Sequence, residues 1–332
     1  MNTAMRLSAY GAAVALLGAG AYVTGSAVDA PTTHLQPTAQ SGPVGHGGSH
    51  SGAVAEVRAP EPGAPASNTA QPAGLASTKA GYTFAPATTT LTPGKPTELA
   101  FRITGPDSKP VTAFDVEHEK RMHLILVRSD TADFQHVHPA MSADGTWRAP
   151  VTLAGGGTYR AFADFTPGGG EATTLRADLF APGAFTPVAP KPNRVATAPG
   201  GYQVRLDGDL KPGQASEVTL SVARNGRPVT DLQPYLGAYG HLVALRGGDL
   251  GYLHVHPEGV PGDGATTPGP QIRFAAEVPT AGTYRLFLDF RHGSEVRTVQ
   301  FTVPTTGAIA AAAPAGSAPS AEAGHTHSEG GH

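Results

Sequence analysis

The chain writes one pattern twice, MHLILVRSDTADFQHVHP at residues 122–139 and GHLVALRGGDLGYLHVHP at residues 240–257. Each copy opens with a histidine on an apolar run, turns through polar residues, and closes with an aromatic residue near His-Val-His-Pro. The runs are apolar on both faces, as a central β-strand is. The flanking sequence repeats as well. LTPGKPTELAFRI from Leu91 matches LKPGQASEVTLSV from Leu210, and GGTYRAFADF ending at Phe165 matches AGTYRLFLDF ending at Phe290. Spacing is rigid through the middle. Thr112 to His123 and Thr230 to His241 each span 11 positions, and His123 to His136 and His241 to His254 each span 13. Shared order and spacing establish an internal duplication.

TELAFRI and SEVTLSV alternate at period two, and TYRAFADF and TYRLFLDF place aromatic residues on one face. Turn signals such as TPGK, KPGQ, RNGR and ADG separate these segments. About seven short strands per 100 residues is the sandwich pattern. The expectation is an all-β protein of two tandem Ig-like β-sandwiches, at residues 79–190 and 198–304.

Composition agrees. The 43 glycines and 31 prolines are nearly twice the average usage of about 12%, and only 15% of residues are charged. A net charge of −3 excludes the concentrated basic surface that nucleic acid requires. With no cysteine, disulfides, thiolate zinc sites, iron–sulfur clusters and cysteine nucleophiles are excluded together.

The N-terminal 29 residues speak to compartment. Arg6 precedes an uncharged stretch from Leu7 to Val28. A signal peptide cut after Ala27 fits the small residues Gly25 and Ala27. An uncleaved membrane anchor fits the length equally. Both readings place the rest of the chain outside the cytoplasm. Residues 30–78 and 305–332 are rich in Pro, Gly, Ala, Ser and Thr without apolar periodicity, and read as disordered flanks. The C-terminal flank carries His325, His327 and His332.

Candidate site residues come from the repeated histidines. In a strand, residues i and i+2 share a face, so His136 and His138 form a pincer, as do His254 and His256. Such a pair is half of a zinc or copper(II) site. His123 and His241 open the partner strands, where an antiparallel hairpin brings them back towards the pincer. Asp164 and Asp289 could complete each site or orient an imidazole. The expectation is one site per sandwich: His123, His136, His138 and Asp164 in the first, His241, His254, His256 and Asp289 in the second. The competing reading makes these histidines packing and hydrogen-bonding groups, with Asp164 paired to Arg160 and Asp289 to Arg285. His118 and His292 lack counterparts and read as solvated loop.

These motifs, MHLI-V, F-H-HP and GGTY-FADF, resemble a group of bacterial extracytoplasmic proteins often labelled heavy-metal-binding or uncharacterised. The resemblance spans residues 80 to 303, with Gly240 standing where the motif has Met, and implies metal handling at the same eight residues. An enzyme is not expected. H-x-H on a sandwich is similar to copper–zinc superoxide dismutases, but their further histidines and metal loop have no match after Pro139 or Pro257. No nucleophile elbow or phosphate loop stands in a fitting context. Two functions remain: an exported module that sequesters, buffers or delivers copper(II) or zinc, and a non-catalytic structural or interaction module of the cell surface. The protein partner is unspecified by the sequence.

Overall fold

The computed structural model describes residues 72–306. The expected signal peptide or anchor, most of the N-terminal flank and the histidine-containing tail lie outside them. Among the described residues there are strands, turns and loops but no helix.

The first repeat comprises β1 (Thr78–Lys79), β2 (Tyr82–Pro86), β3 (Thr97–Thr104), β4 (His123–Arg128), β5 (Gln135–Val137), β6 (Ala140–Met141), β7 (Trp147–Val151), β8 (Gly157–Phe165) and β9 (Thr173–Ala181). The second comprises β10 (Val195–Ala198), β11 (Tyr202–Asp207), β12 (Ala215–Arg224), β13 (Arg227–Pro228), β14 (His241–Arg246), β15 (Tyr252–His254), β16 (His256–Pro257), β17 (Gln271–Glu277), β18 (Thr283–His292) and β19 (Glu295–Pro304). The first forms sheets β1-β2-β3-β7-β6 and β5-β4-β8-β9. The second forms β10-β11-β12-β17-β16, with β13 on β12, and β15-β14-β18-β19. All pairings between these strands are antiparallel. The architecture is two β-sandwiches from a duplication.

Period-two patterning builds each core. On β3, Leu99, Phe101 and Ile103 are buried while Glu98 and Arg102 are exposed. Leu124 and Leu126 of β4 pack beneath them with Trp147, Ala161 and Ala163. The second core repeats this with Val218, Leu220 and Val222 against Leu242, Ala244, Leu286 and Leu288. In both copies a buried tyrosine hydroxyl donates to a carbonyl four residues back, Tyr159 to Gly155 at 3.0 Å and Tyr284 to Thr280 at 2.9 Å. That bond fixes the chain's entry into the strand, as a tyrosine corner does in Ig-like domains.

The alternate residues of the central strands explain why those runs are apolar on both faces. Ile125 and Val127 of β4, Phe162 of β8, Val243 and Leu245 of β14 and Phe287 of β18 join Leu250 and Tyr252 in a third core. This core lies between the sandwiches. Phe134 stacks on Phe287 with ring centroids 3.9 Å apart and planes 6° apart. The two four-stranded sheets therefore cover each other, and the repeats are not independent beads.

Residues 72–78, read from composition as the end of a disordered flank, belong to this packing. Gly74 N–H donates to the Thr174 carbonyl and Tyr252 N–H to the Ala73 carbonyl, so the segment ties the first sandwich to the second. Gly74 adopts φ +67°, and a Cβ there would fall 2.7 Å from Phe162 and 2.9 Å from Tyr252. Composition reports only that a segment lacks a core of its own; here it borrows one.

Candidate metal centre

Registers place His123, His136 and His241 on the faces that meet between the sandwiches. His123 pairs across from Asp164 and Ile125 from His136 in the first repeat; His241 pairs across from Asp289 and Val243 from His254 in the second. His123, Ile125 and Val127 alternate along one face of β4, as do His241, Val243 and Leu245 on β14. Where the apolar interdomain core ends, the histidines continue it.

His123, His136 and His241 form a cluster that draws on both sandwiches. His123 and His241 are both 4% exposed, and their rings stack at 5.4 Å with planes 3° apart. The His136 ring lies 4.9 Å from that of His241. Ligand nitrogens of His123, His136 and His241 all fall within 4.8 Å of one another. His138 flanks this triad, its ring 5.0 Å from His123 and 4.8 Å from His136. Its Nε2 is buried without a hydrogen-bond partner. His118, expected as a solvated loop residue, turns inward at φ +47°. Its ring lies 6.2 Å from His123 and 5.6 Å from His241.

The carboxylates cross over. Asp289 of the second repeat meets His136 of the first, Oδ2 to Nδ1 at 2.7 Å. Asp289 Oδ1 accepts from the Thr298 hydroxyl at 2.5 Å. Asp164 accepts from the Tyr252 hydroxyl at 3.1 Å and the Thr174 hydroxyl at 2.8 Å. Neither aspartate takes the arginine that the alternative reading assigned to it. Arg160 pairs with Asp178 at 3.0 Å, and Arg285 bonds Gln300 and Thr302. Same-face spacing along one strand is weaker guidance than the neighbouring strand, which lies closer.

The two histidines of the second pair fall on strands of different sheets. His254 ends β15 in the four-stranded sheet, while His256 begins β16, paired with β17 in the six-stranded sheet. The chain changes sheets at Val255, and His256 is exposed. His256 lines a cavity of about 310 Å³ together with His118, His123 and Asp164. His292 is a structural residue, its nitrogens 2.7 Å from the Tyr202 hydroxyl and 3.0 Å from Asp231. Tyr235, which no sequence motif marks, sits 6.3 Å from the His138 ring. Burial, with the Asp289 charge adding, pushes its phenol up to about 12.

Proton positions constrain the triad. Asp289 Oδ2 can only accept, so His136 Nδ1 carries a hydrogen. His123 Nε2 lies 3.2 Å from the Glu117 carbonyl, so it donates too. The remaining nitrogens, His123 Nδ1 and His136 Nε2, face each other at 3.1 Å. A neutral imidazole has one N–H and one lone pair. With both rings neutral, two lone pairs converge, and only a cation stabilises that arrangement. A shared proton, giving an imidazolium beside Asp289, would satisfy that arrangement, and so would a metal ion. Burial, reinforced by the His136 charge, pushes His123 down to about 4. Burial, then His136, His123 and Lys120, pushes His138 down to about 3. The residues fit a divalent ion. Metal–nitrogen bonds of about 2.0–2.1 Å separate two tetrahedral ligands by roughly 3.3 Å, near the observed spacing. A carboxylate on the far nitrogen of a ligating histidine is the usual supporting contact.

Profile comparison matches residues 77–180 and again residues 196–307 to the Domain of unknown function (DUF8832), and the chain belongs to that family. No curated protein matches. Solved structures that align include a Salmonella alpha-2-macroglobulin mutant (14% identity, 70% of this chain, 15% of that chain, TM-score 0.24). Others are invasin, a bacterial integrin-binding protein (12%, 67%, 39%, 0.19), and a two-domain fibronectin type III segment from chicken tenascin (14%, 67%, 97%, 0.20). The chain spans 15 to 20% of the alpha-2-macroglobulin chains it matches.

Proposed function

We propose that this pair of DUF8832 domains is an exported, non-catalytic module that binds one divalent ion, copper(II) or zinc, between its sandwiches. His123, His136 and His241 are the ligands, with His138 beside them and Asp289 orienting His136. One observation carries the reading: three buried imidazoles from two domains converge, with the lone pairs of two of them aimed at each other. Imidazole donors without thiolates suit both metals. Export rests on the uncharged stretch at residues 7–28.

Titration of zinc and copper(II) into residues 72–306, without either flank, tests it. The expected stoichiometry is one ion per chain, lost in His136→Ala and in His241→Ala alike. Two independent sites, or binding unaffected by either substitution, would refute a shared centre.

A second reading is favoured by a specific pair of contacts. His136–Asp289 and Tyr252–Asp164 each join one sandwich to the other. In a structural or interaction module the cluster would serve as a clasp holding the pair rigid. Zinc or copper(II) would then leave the melting temperature unchanged, and His136→Ala would lower it without metal present.

A further inference from the structure

Each repeat carries a two-residue turn at the same place, beginning five positions after Thr112 in the first copy and after Thr230 in the second. Glu117 and Lys120 exchange N–H···O bonds of 2.8 and 2.9 Å, and Tyr235 and Ala238 exchange bonds of 2.7 and 3.3 Å. Both central residues of each turn are left-handed, His118 at φ +47° and Glu119 at φ +65°, Leu236 at φ +56° and Gly237 at φ +79°. Such turns favour Asn and Gly, and the second repeat uses Gly237. The first uses neither, and so carries side chains at two strained positions. The turn itself does not call for a histidine, since Leu236 serves at the matching position.

Glu117, Glu119 and Lys120 are exposed, whereas His118 is half-buried. Its imidazole faces one histidine of each sandwich, His123 at 6.2 Å and His241 at 5.6 Å between ring centroids. The rings nearest His138 belong to its own repeat, His123 and His136. The same turn also holds His123, through the Glu117 carbonyl 3.2 Å from Nε2. Imidazoles on one tetrahedral ion place their ring centroids about 5 Å apart, given metal–nitrogen bonds of about 2.0–2.1 Å. His123, His136 and His241 already meet that spacing, at 4.9, 5.3 and 5.4 Å. His118 stands about 1 Å outside it, on a surface turn.

We propose that His118 is the fourth ligand of the ion held by His123, His136 and His241, an inference that rests on the metal reading above. Three protein ligands leave a position for water, as in catalytic zinc sites, while four close the sphere, as in structural ones. His118 thereby makes the centre one that holds its ion and presents it to neither water nor substrate. It also lines the cavity of about 310 Å³ with His123, Asp164 and His256, and so can take an ion that enters there.

Cobalt(II) serves as the probe. Four-coordinate cobalt(II) absorbs intensely in the visible, and six-coordinate ions bound elsewhere on the chain do not. The full-length protein is titrated with cobalt(II) and then with azide, which replaces coordinated water. Wild type should show the intense bands, and azide should leave them unchanged. In His118→Gly the new residue suits φ +47°, so the metal-free variant should melt no lower than wild type. It should bind cobalt(II) at least about tenfold more weakly, the lower end of what losing even a supporting partner costs, and azide should shift its bands. His138→Ala should keep bands that azide does not move. Wild-type bands that shift with azide overturn the proposal and leave the metal reading standing. A His118→Gly protein that matches wild type in affinity and azide response does the same. Wild type without intense bands overturns the metal reading, and the fourth ligand with it.

Discussion

Asp289→Asn separates an orienting carboxylate from a packing one. The change keeps the side chain's shape and removes its charge. In the wild type, Asp289 Oδ2 sits 2.7 Å from His136 Nδ1, with side chains 4% and 1% exposed respectively. The contact is dry, and solvent screening does not weaken it. The carboxylate fixes the hydrogen on Nδ1 and so keeps the Nε2 lone pair pointed at His123. An amide can present its N–H₂ instead of its oxygen, which would move the hydrogen to Nε2 and close the site. Loss of such a supporting partner typically weakens metal affinity by about 10–100-fold, equivalent to roughly 1.4–2.7 kcal/mol. Calorimetric titration of zinc into Asp289→Asn and wild type measures it. Tyr252→Phe is the control: it removes the hydroxyl bond to Asp164, another contact between the sandwiches, at a stability cost of about 0.5–1.5 kcal/mol. It should leave zinc affinity unchanged. If Asp289→Asn binds zinc as tightly as wild type, the lone-pair argument fails and the contact is packing alone.

Phe287→Ala opens the interdomain stack against Phe134 and should cost about 3–5 kcal/mol, read from the urea midpoint. A loss under 1 kcal/mol would mean that the sandwiches do not stabilise each other. Gly74→Ala forces a Cβ into Phe162 and Tyr252 at a left-handed backbone position and should destabilise by more than about 1 kcal/mol; a neutral result would mean that residues 72–78 are not docked. Acid should also destabilise the metal-free protein. His123 and His138 are held at about 4 and about 3 when folded, against about 6.5 when unfolded. The unfolded chain binds more protons between those values, so stability is full above pH 6.5 and falls as pH drops towards 4. Melting temperatures across that window check the sign, and His138→Gln should flatten part of the slope.

The sequence by itself determined the sandwiches and their number, because strand alternation and turn residues are local and the duplication repeats them at fixed spacing. It also singled out the histidines and aspartates of the candidate centre. It could not assign them to a common site. The interdomain face was written in the doubly apolar runs HLILV and HLVAL, but a run buried on both faces does not name what covers its second face. Tertiary structure decided that. The sheet of one repeat covers that of the other, so His123 stacks on His241 and Asp289 reaches His136 across the boundary. It also drew His118 and Tyr235 inward, and sent His256 to the other sheet through a crossing at Val255. Strand periodicity fixes which side of a strand a residue occupies. Which residue waits on that side depends on how two separately folded surfaces meet, and their complementarity is not carried by either strand alone.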